Sequence, residues 1–441
     1  MKTALYWFTE DLRINDNITL NATLYACDKI LFVFVLDESL LKPTNYNHVQ
    51  LGVSKLRFIK ESLLDLSEQL QQLGYELLVL RGDTKAVLNK LVSIFDIDVI
   101  GCQYSSGLQE RQRLSSLKAQ LPEVRFICQN NNLLFGSKQI ESNALSGSFS
   151  KFRKKTAHTL VYEPVDSALS DTLPMPINSS EVSLEQWDLN EETSGIHHTT
   201  VFKGGELQAN CLIERYFQSN AALRYKETRN ELDGYDNSTK FSPYLASGNI
   251  SPRQIVARLK RFEQTHGAND STYWIFFELL WREFFHHKAM MKGSKLFEFS
   301  GEMGKRPLTT YYPQRFLSWC HGETCYPLVN ALMRELNSTG FMSNRGRQIV
   351  ASCLVNELEI DWRYGAAYFQ QQLIDHDVAS NWGNWQYIAG VGDDPRGGRH
   401  FNIDKQTIMY DPEGEFVRKW STNNNPIVNM EVDMVDWPQE V

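Results

Sequence analysis

Residues 29–37 read KILFVFVLD, an almost unbroken apolar run with no helical spacing. Such a run is a strand buried on both faces. The same signal recurs in ALYWF (4–8), YELLVL (75–80), DIDVIGC (96–102) and VRFICQ (124–129), with stretches such as SKLRFIKESLLDLSEQLQQLG (54–74) between them. Strand and helix in alternation predict parallel βαβ units and a doubly wound parallel sheet over residues 1–135.

From about Lys151 the rhythm fails. YEPVDSALSDTLPMPINSSEVSLEQWDLNEETSG (162–195) is rich in Pro, Ser and acids and lacks periodicity. It reads as part of a connector over residues 136–205, running across the surface and partly ordered by packing. Beyond it strand signals nearly vanish. GELQANCLIERYFQ (205–218), SPRQIVARLKRFEQ (251–264), STYWIFFELLWREFFHH (271–287), YPLVNALMREL (326–336) and RGRQIVASCLVNEL (345–358) carry helical periodicity, so residues 206–441 are expected to form an all-helical domain. No repeat of fixed period points to a solenoid.

The chain has 441 residues, 42% of them hydrophobic, enough for two or three domains with full cores. The longest early apolar run, ILFVFVL (30–36), is too short to span a bilayer, and the amino terminus lacks a signal-peptide layout. A cytoplasmic protein is expected. Of seven cysteines only Cys320 and Cys325 lie close in sequence, so free thiols are expected and no metal set is read. A net charge of −8 excludes a surface coated in positive potential, so any nucleic-acid site must be a local patch.

TEDLRINDN (9–17), after the first strand, lacks the glycines of a dinucleotide fingerprint, and GVGDDP (390–395) lacks the third glycine and a preceding strand. A cofactor therefore belongs to the helical half. Four polar-rich segments stand out there: YKETRNELDGYDNSTKFSPYLASGNISPR (225–253), ELLWREFFHH (278–287), FMSNRGRQ (341–348) and DHDVASNWGNWQY (375–387). NSTKFS (237–242) suits either a helix cap or phosphate binding by hydroxyls, N–H groups and a Lys. Glu278 and Arg282, four apart, suit a solvated helix pair, but their neighbours Trp281, Phe284 and Phe285 favour a helix lining a polar pocket. DHDVASN is too poor in acids for a divalent-cation loop, and Trp382 and Trp385 taken alone would be core.

Taken together, these segments resemble the photolyase/cryptochrome flavoproteins, with the match strongest toward the DASH cryptochromes. LYWFTEDLRINDN (5–17) looks like the family's opening strand and turn, with Thr9 in place of the usual Arg. TGFMSNRGRQ (339–348), DHDVASNWGNWQYIAGVGDDPR (375–396) and YDPEGEFVRKW (410–420) extend the likeness over almost the whole chain. The resemblance implies an antenna-type α/β domain, a connector, and a helical domain holding FAD. Tyr225, Arg229, Ser238, Thr239, Lys240, Phe241 and Ser242 would lie on the pyrophosphate side, and Asn344, Arg347, Asp375, Asp377 and Asn381 around the flavin ring, with Glu278 and Arg282 beside it. A neutral amide at Asn381 suits a reduced flavin anion where a carboxylate would repel it, and Arg347 can offset Asp375.

The implied chemistry is blue-light repair of cyclobutane pyrimidine dimers by electron transfer from excited reduced FAD. Glu278 would contact the dimer and Trp281 would stack on the flipped lesion. Tyr387 stands where duplex-repairing relatives carry a second stacking Trp, and Gln348 where they carry a Met. Both changes remove apolar contact, so single-stranded or looped DNA is the expected partner, with RNA left open and a monomer without membrane association expected. Arg345, Arg396 and Arg399, with Lys226 beside them, would be the phosphate contacts. Trp385 and Trp362 match the inner members of the family's tryptophan relay. A gapless count from SWCHGETCYP (318–327) puts the outermost member on Thr309, so Tyr311, Tyr312 or Trp319 must finish the path. Relatives hold a methenyltetrahydrofolate antenna partly through acids, where YSSGLQERQR (104–113) offers Ser105 and Ser106. The rival reading is a light-sensing signalling flavoprotein. Such proteins commonly carry a long tail, whereas only residues 421–441 follow EFVRKW here.

Overall fold

The structure, a computed structural model, describes residues 1–136, 139–140, 147–161, 163–167, 174–179, 182–190, 202–392 and 397–421. The first part alternates β1 (Thr3–Phe8), α1 (Ile18–Leu24), β2 (Lys29–Asp37), α2 (Val53–Gln72), β3 (Leu77–Gly82), α3 (Thr84–Phe95), β4 (Val99–Gln103), α4 (Leu108–Gln120) and β5 (Arg125–Gln129). The strands are parallel in the order β3-β2-β1-β4-β5, with β2 buried along nearly its whole length. This is the doubly wound sheet that the apolar runs predict. The order reverses at β1, where strand ends leave a crevice.

The described part of the connector is more structured than its composition suggests. It supplies α5 (Phe149–Thr156) and β6 (Met175–Pro176), a two-residue strand that pairs with Lys29 and Ile30 of β2 where β3 has not yet begun. Edge pairing and the buried rings of Phe149 and Phe152 give this polar segment its order.

The remainder is helical: α6 (Glu206–Gln218), α7 (Tyr225–Thr228), α8 (Ser242–Ser247), α9 (Pro252–His266), α10 (Asp270–Lys292), α11 (Pro313–His321), α12 (Pro327–Thr339), α13 (Asn344–Ser352), α14 (Trp362–Gln372), α15 (Val378–Ala389), α16 (Ile403–Tyr410) and α17 (Glu415–Lys419). Local signals set the ends. Ser251 and Gln254 form a capping box on α9 with Pro252 in its first turn, and Asn269 and Thr272 form another on α10. Among the described residues no helix is long and apolar enough to cross a membrane.

The two parts are joined by a buried polar lock. Arg13 is fully buried; its guanidinium donates to Asn132 Oδ1 (2.8 Å), the Gly248 carbonyl (2.7 Å) and the carbonyls of Asn15, Asp16 and Asn131. Arg253 of α9 lies 2.9 Å from buried Asp16 and donates to the Leu133 and Asn131 carbonyls. Residues 132–135 then hold α10. Arg282 donates to the Asn132 carbonyl at 2.6 Å, and buried Glu283 accepts from the Leu134 and Phe135 N–H groups at 2.9 and 3.2 Å. LRINDN thus serves as a clamp between the sheet and the helices.

Removing one partner of a buried ion pair leaves an uncompensated charge and costs about 3–5 kcal/mol. Arg253→Met should lower the unfolding free energy by about that much, read from the shift of the urea midpoint. A change within the error of the measurement would contradict the lock.

Candidate functional site

Helix α10 carries a stripe at spacing four: Trp274, Glu278, Arg282 and His286. Side chains at that spacing share a helix face. Trp274, Glu278 and Arg282 face a cavity of about 910 Å³, near the upper end of the size usual for cofactor sites. Three further stretches close the wall. One is Tyr225 of α7 with Arg229, Ser238, Thr239, Lys240, Phe241 and Ser242; the second is Asn344, Arg347 and Gln348 of α13; the third is Asp375, Asp377, Asn381, Trp385 and Tyr387, with Arg399 nearby. Residues that lie far apart in sequence therefore meet at one hollow.

Each acid of the wall has a basic partner. Arg347 lies 2.8 Å from Asp375, which also accepts from Ser242 Oγ at 2.6 Å. Asp377 caps α15 by accepting from Ser380 N at 2.7 Å, and it lies 2.8 Å from His286 Nε2 and 4.0 Å from Arg282. Burial alone would raise the Asp377 carboxyl, yet His286, Arg282 and the Ser380 N–H hold it well below the usual range. His286 itself is pushed down by burial, and its ring lies between Asp377 and Ser106, whose Oγ is 2.8 Å from Nδ1. Glu278 pairs with Arg229; burial raises its carboxyl despite that cation.

Several wall atoms await a ligand. Asp375 Oδ1 and Gln348 Oε1 are buried without a protein partner. Asn381 commits its amide N–H to the Ala366 carbonyl at 2.9 Å, so its Oδ1 is left as an acceptor. Buried acceptors are seldom left unpaired. A ligand with ring N–H donors on one part and anionic phosphates on another suits this combination of acceptors, cations and hydroxyls. FAD is such a ligand.

Comparison with known proteins agrees. Residues 4–171 match the family profile described as DNA photolyase, and residues 274–434 match the FAD binding domain of DNA photolyase. A cryptochrome DASH from Idiomarina loihiensis is 44% identical over 444 residues, spanning 99% of this chain and 96% of the relative. The chain belongs to the photolyase/cryptochrome family. A cryptochrome DASH from Vibrio parahaemolyticus is also 44% identical, over 99% of this chain and 97% of its own length. The crystal structure of a Synechocystis cryptochrome superposes with a TM-score of 0.90 at 36% identity, covering 95% of this chain and 88% of that one. Within the family the likeness runs to cryptochrome DASH, and the helical part is its FAD-binding domain.

The structure also adds contacts that the sequence reading left open. Glu278 does not pair with Arg282 along the helix; it takes Arg229, which lines the same cavity as Ser238 and Lys240. Arg282 turns instead toward Asn132, Leu245 and Asp377. Trp281 lines the cavity but is not free on both faces: Phe149 of α5 stacks on it at 3.7 Å with planes 13° apart, and Tyr387 meets it edge-on at 6.2 Å. Trp362 is fully buried away from the wall, donating from Nε1 to the Phe299 carbonyl at 3.1 Å. Arg345 is not on the wall either. Its guanidinium lies over the Phe401 and Tyr410 rings, because that half-buried site offers aromatic faces. Lys226 pairs with Asp270 at 2.8 Å and lies over Trp274, whereas Arg399 reaches the cavity and donates to Tyr387 Oη. Arg396 falls outside the described residues.

His286, Phe149 and Glu335 were missed. Spacing could have found His286, which continues the Glu278–Arg282 stripe by one more turn. Glu335 of α12 sits among Lys240, Arg347, Asp233 and Lys419, and burial pushes its carboxyl up to about 8. Between pH 4.5 and about 8 the folded chain then holds a proton that the unfolded chain has lost, so stability falls as pH rises through that window. Glu335→Gln should flatten the decline, seen in urea midpoints at about pH 5 and about pH 8.5. An unchanged slope would exclude Glu335 as its source.

Proposed function

We propose that this protein uses blue light to split cyclobutane pyrimidine dimers and that it acts on single-stranded or locally open DNA. The observation that carries the reading is the arrangement of one cavity: the Glu278–Arg229 pair and Trp281 stand on one wall, Asn381 and the Arg347–Asp375 pair on another. When bound, reduced FAD supplies an electron on excitation and takes it back after the ring opens. No general base or nucleophile is needed.

The chain's own residues then have defined tasks. Arg347 balances Asp375, so the deep wall does not add an unpaired negative charge beside a reduced flavin. Asn381 presents a neutral acceptor. Glu278, with its carboxyl raised by burial and its charge shared with Arg229, keeps hydrogen-bonding capacity for a dimer carbonyl on which charge develops. Trp281, backed by Phe149, offers its remaining surface to a flipped base, and Tyr387 stands edge-on to it. A narrow stacking contact recovers little of the cost of opening a duplex, which supports the preference for unpaired strands. Arg399, which donates to Tyr387 Oη, is the strongest phosphate contact in this reading because it lines the cavity, whereas Arg345 and Lys226 do not.

A second hollow of about 350 Å³ lies where strand ends face the helices, bordered by Trp7, Glu10, Tyr46, Lys55, Glu110 and Trp382. It is our choice for an antenna chromophore such as a folate. Glu10 and Glu110 supply there the acids that Ser105 and Ser106 lack, and Ser105 donates to Glu10 at 3.2 Å.

Illumination of the flavin-reduced protein with an oligothymidine carrying one dimer should remove the dimer from a single strand faster than from a duplex. Glu278→Ala should lower the yield of splitting severalfold, and Glu278→Gln should retain more of it. Intact dimers on the single strand after illumination would reject repair and favour the sensor reading.

A further inference from the structure

Two of the seven cysteines meet in the α/β part, away from the flavin cavity. Cys102 of β4 and Cys128 of β5 are register partners on neighbouring parallel strands, and their sulfurs lie 3.5 Å apart. Both pack in the apolar layer that holds Leu88 and Leu91 of α3 and Leu114 and Leu117 of α4. Cys102 is fully buried, whereas Cys128 is only half-buried, because β5 is the edge strand of the sheet. Paired strands lie about 4.7–4.9 Å apart, inside the range of about 4.4–6.8 Å that a disulfide accepts between its Cα atoms. Side-chain rotation therefore suffices to bring the sulfurs to about 2.0 Å, with the backbone left in place.

We propose that Cys128 and Cys102 form a peroxide-reactive dithiol, a modification site in which Cys128 takes the oxygen of a hydroperoxide and Cys102 resolves it to a disulfide. The two thiols are unlike. The hydrogen bond with Cys102 draws the Cys128 thiol below its usual value, and Lys118 of α4 adds to that effect against the opposing pull of burial. The Lys118 ammonium lies 5.5 Å from the ring centre of Phe126, two residues before Cys128 on the same strand. The shared hydrogen bond and burial push Cys102 up, so it keeps its proton. Cys128 is then the nucleophile and Cys102 the resolving thiol.

In the first step the Cys128 thiolate attacks one peroxide oxygen: an S–O bond forms, the O–O bond breaks, and the departing hydroxide takes up a proton as water. In the second the Cys102 sulfur attacks the sulfenic acid: an S–S bond forms, the S–O bond breaks, and the Cys102 proton leaves with the hydroxyl as a second water. The two thiols lose two electrons, which the peroxide accepts. A soluble dithiol reverses the bond by exchange. The position gives the bond a consequence. β4 leads on to Ser106, which meets His286, and β5 leads on to Asn131 and Asn132, which accept from Arg13. A disulfide between these two strand ends fastens the base of the polar lock.

Hydrogen peroxide added to the reduced full-length protein tests this, with free thiols then blocked by N-ethylmaleimide and the peptides read by mass spectrometry. A peptide pair joined through Cys102 and Cys128 is expected, reversed by dithiothreitol, while exposed Cys211 stays free at the same peroxide dose. The joined protein should unfold at a higher urea midpoint than the reduced one, and Cys128→Ser should show one midpoint with or without peroxide. Cys102→Ala should stop the reaction at the sulfenic acid of Cys128, which dimedone traps, a product that a merely structural pair does not give. Lys118→Met should slow the loss of the Cys128 thiol severalfold. Peroxide that consumes Cys211 before Cys128, or that carries Cys128 to sulfinic acid in the unaltered chain with Cys102 still free, overturns the proposal. Should Cys102→Ala fail to fold, the joined peptide of the unaltered chain decides.

Discussion

The buried guanidinium of Arg13 is the constraint on which the rest depends. An arginine with no exposed surface is costly unless its donors are satisfied, and here they are satisfied by groups from both halves of the molecule: Asn131 and Asn132 after β5, and Gly248 before α9. The same loop grips α10 through Arg282 and Glu283. The helix that presents Glu278 and Trp281 is thereby fixed to the sheet. A site that must hold rings and charges within fractions of an ångström gains from such rigid support.

Charge pairing is the second organising feature. Asp375 has Arg347, Glu278 has Arg229, and Asp377 has His286 and, farther off, Arg282. Acids in a low-dielectric cavity would otherwise protonate or repel an anionic ligand. With each acid paired, the wall can present hydrogen-bonding groups without a net negative field. His286, placed between Asp377 and Ser106, links the sheet side of the molecule to the cavity.

Much of this could be read from the chain. The five strands follow from apolar runs such as KILFVFVLD, and the helices from spacing and caps, because both signals are local. The polar stretches that hold Ser238 to Ser242, Arg347, Asp375 and Asn381 stood out by composition, while their assignment to one site came from the family resemblance. What stayed hidden was long-range. Nothing local says that Glu278 reaches back to Arg229 in preference to Arg282 four residues on, or that Phe149 of the connector stacks on Trp281. Arg345 reads as a free cation until the Phe401 and Tyr410 rings are seen beneath it. The connector looked polar and irregular because the two residues of β6 borrow their order from β2.

Flavin binding is the proposition that most of the chemistry needs, and a titration of the flavin-free protein with FAD reads it directly. Incubation followed by gel filtration should leave a yellow protein with FAD and chain in equal amounts, and Asp375→Leu should sharply reduce the retained colour. A colourless protein that takes up no FAD, or uptake indifferent to Asp375, would contradict the assignment of the cavity.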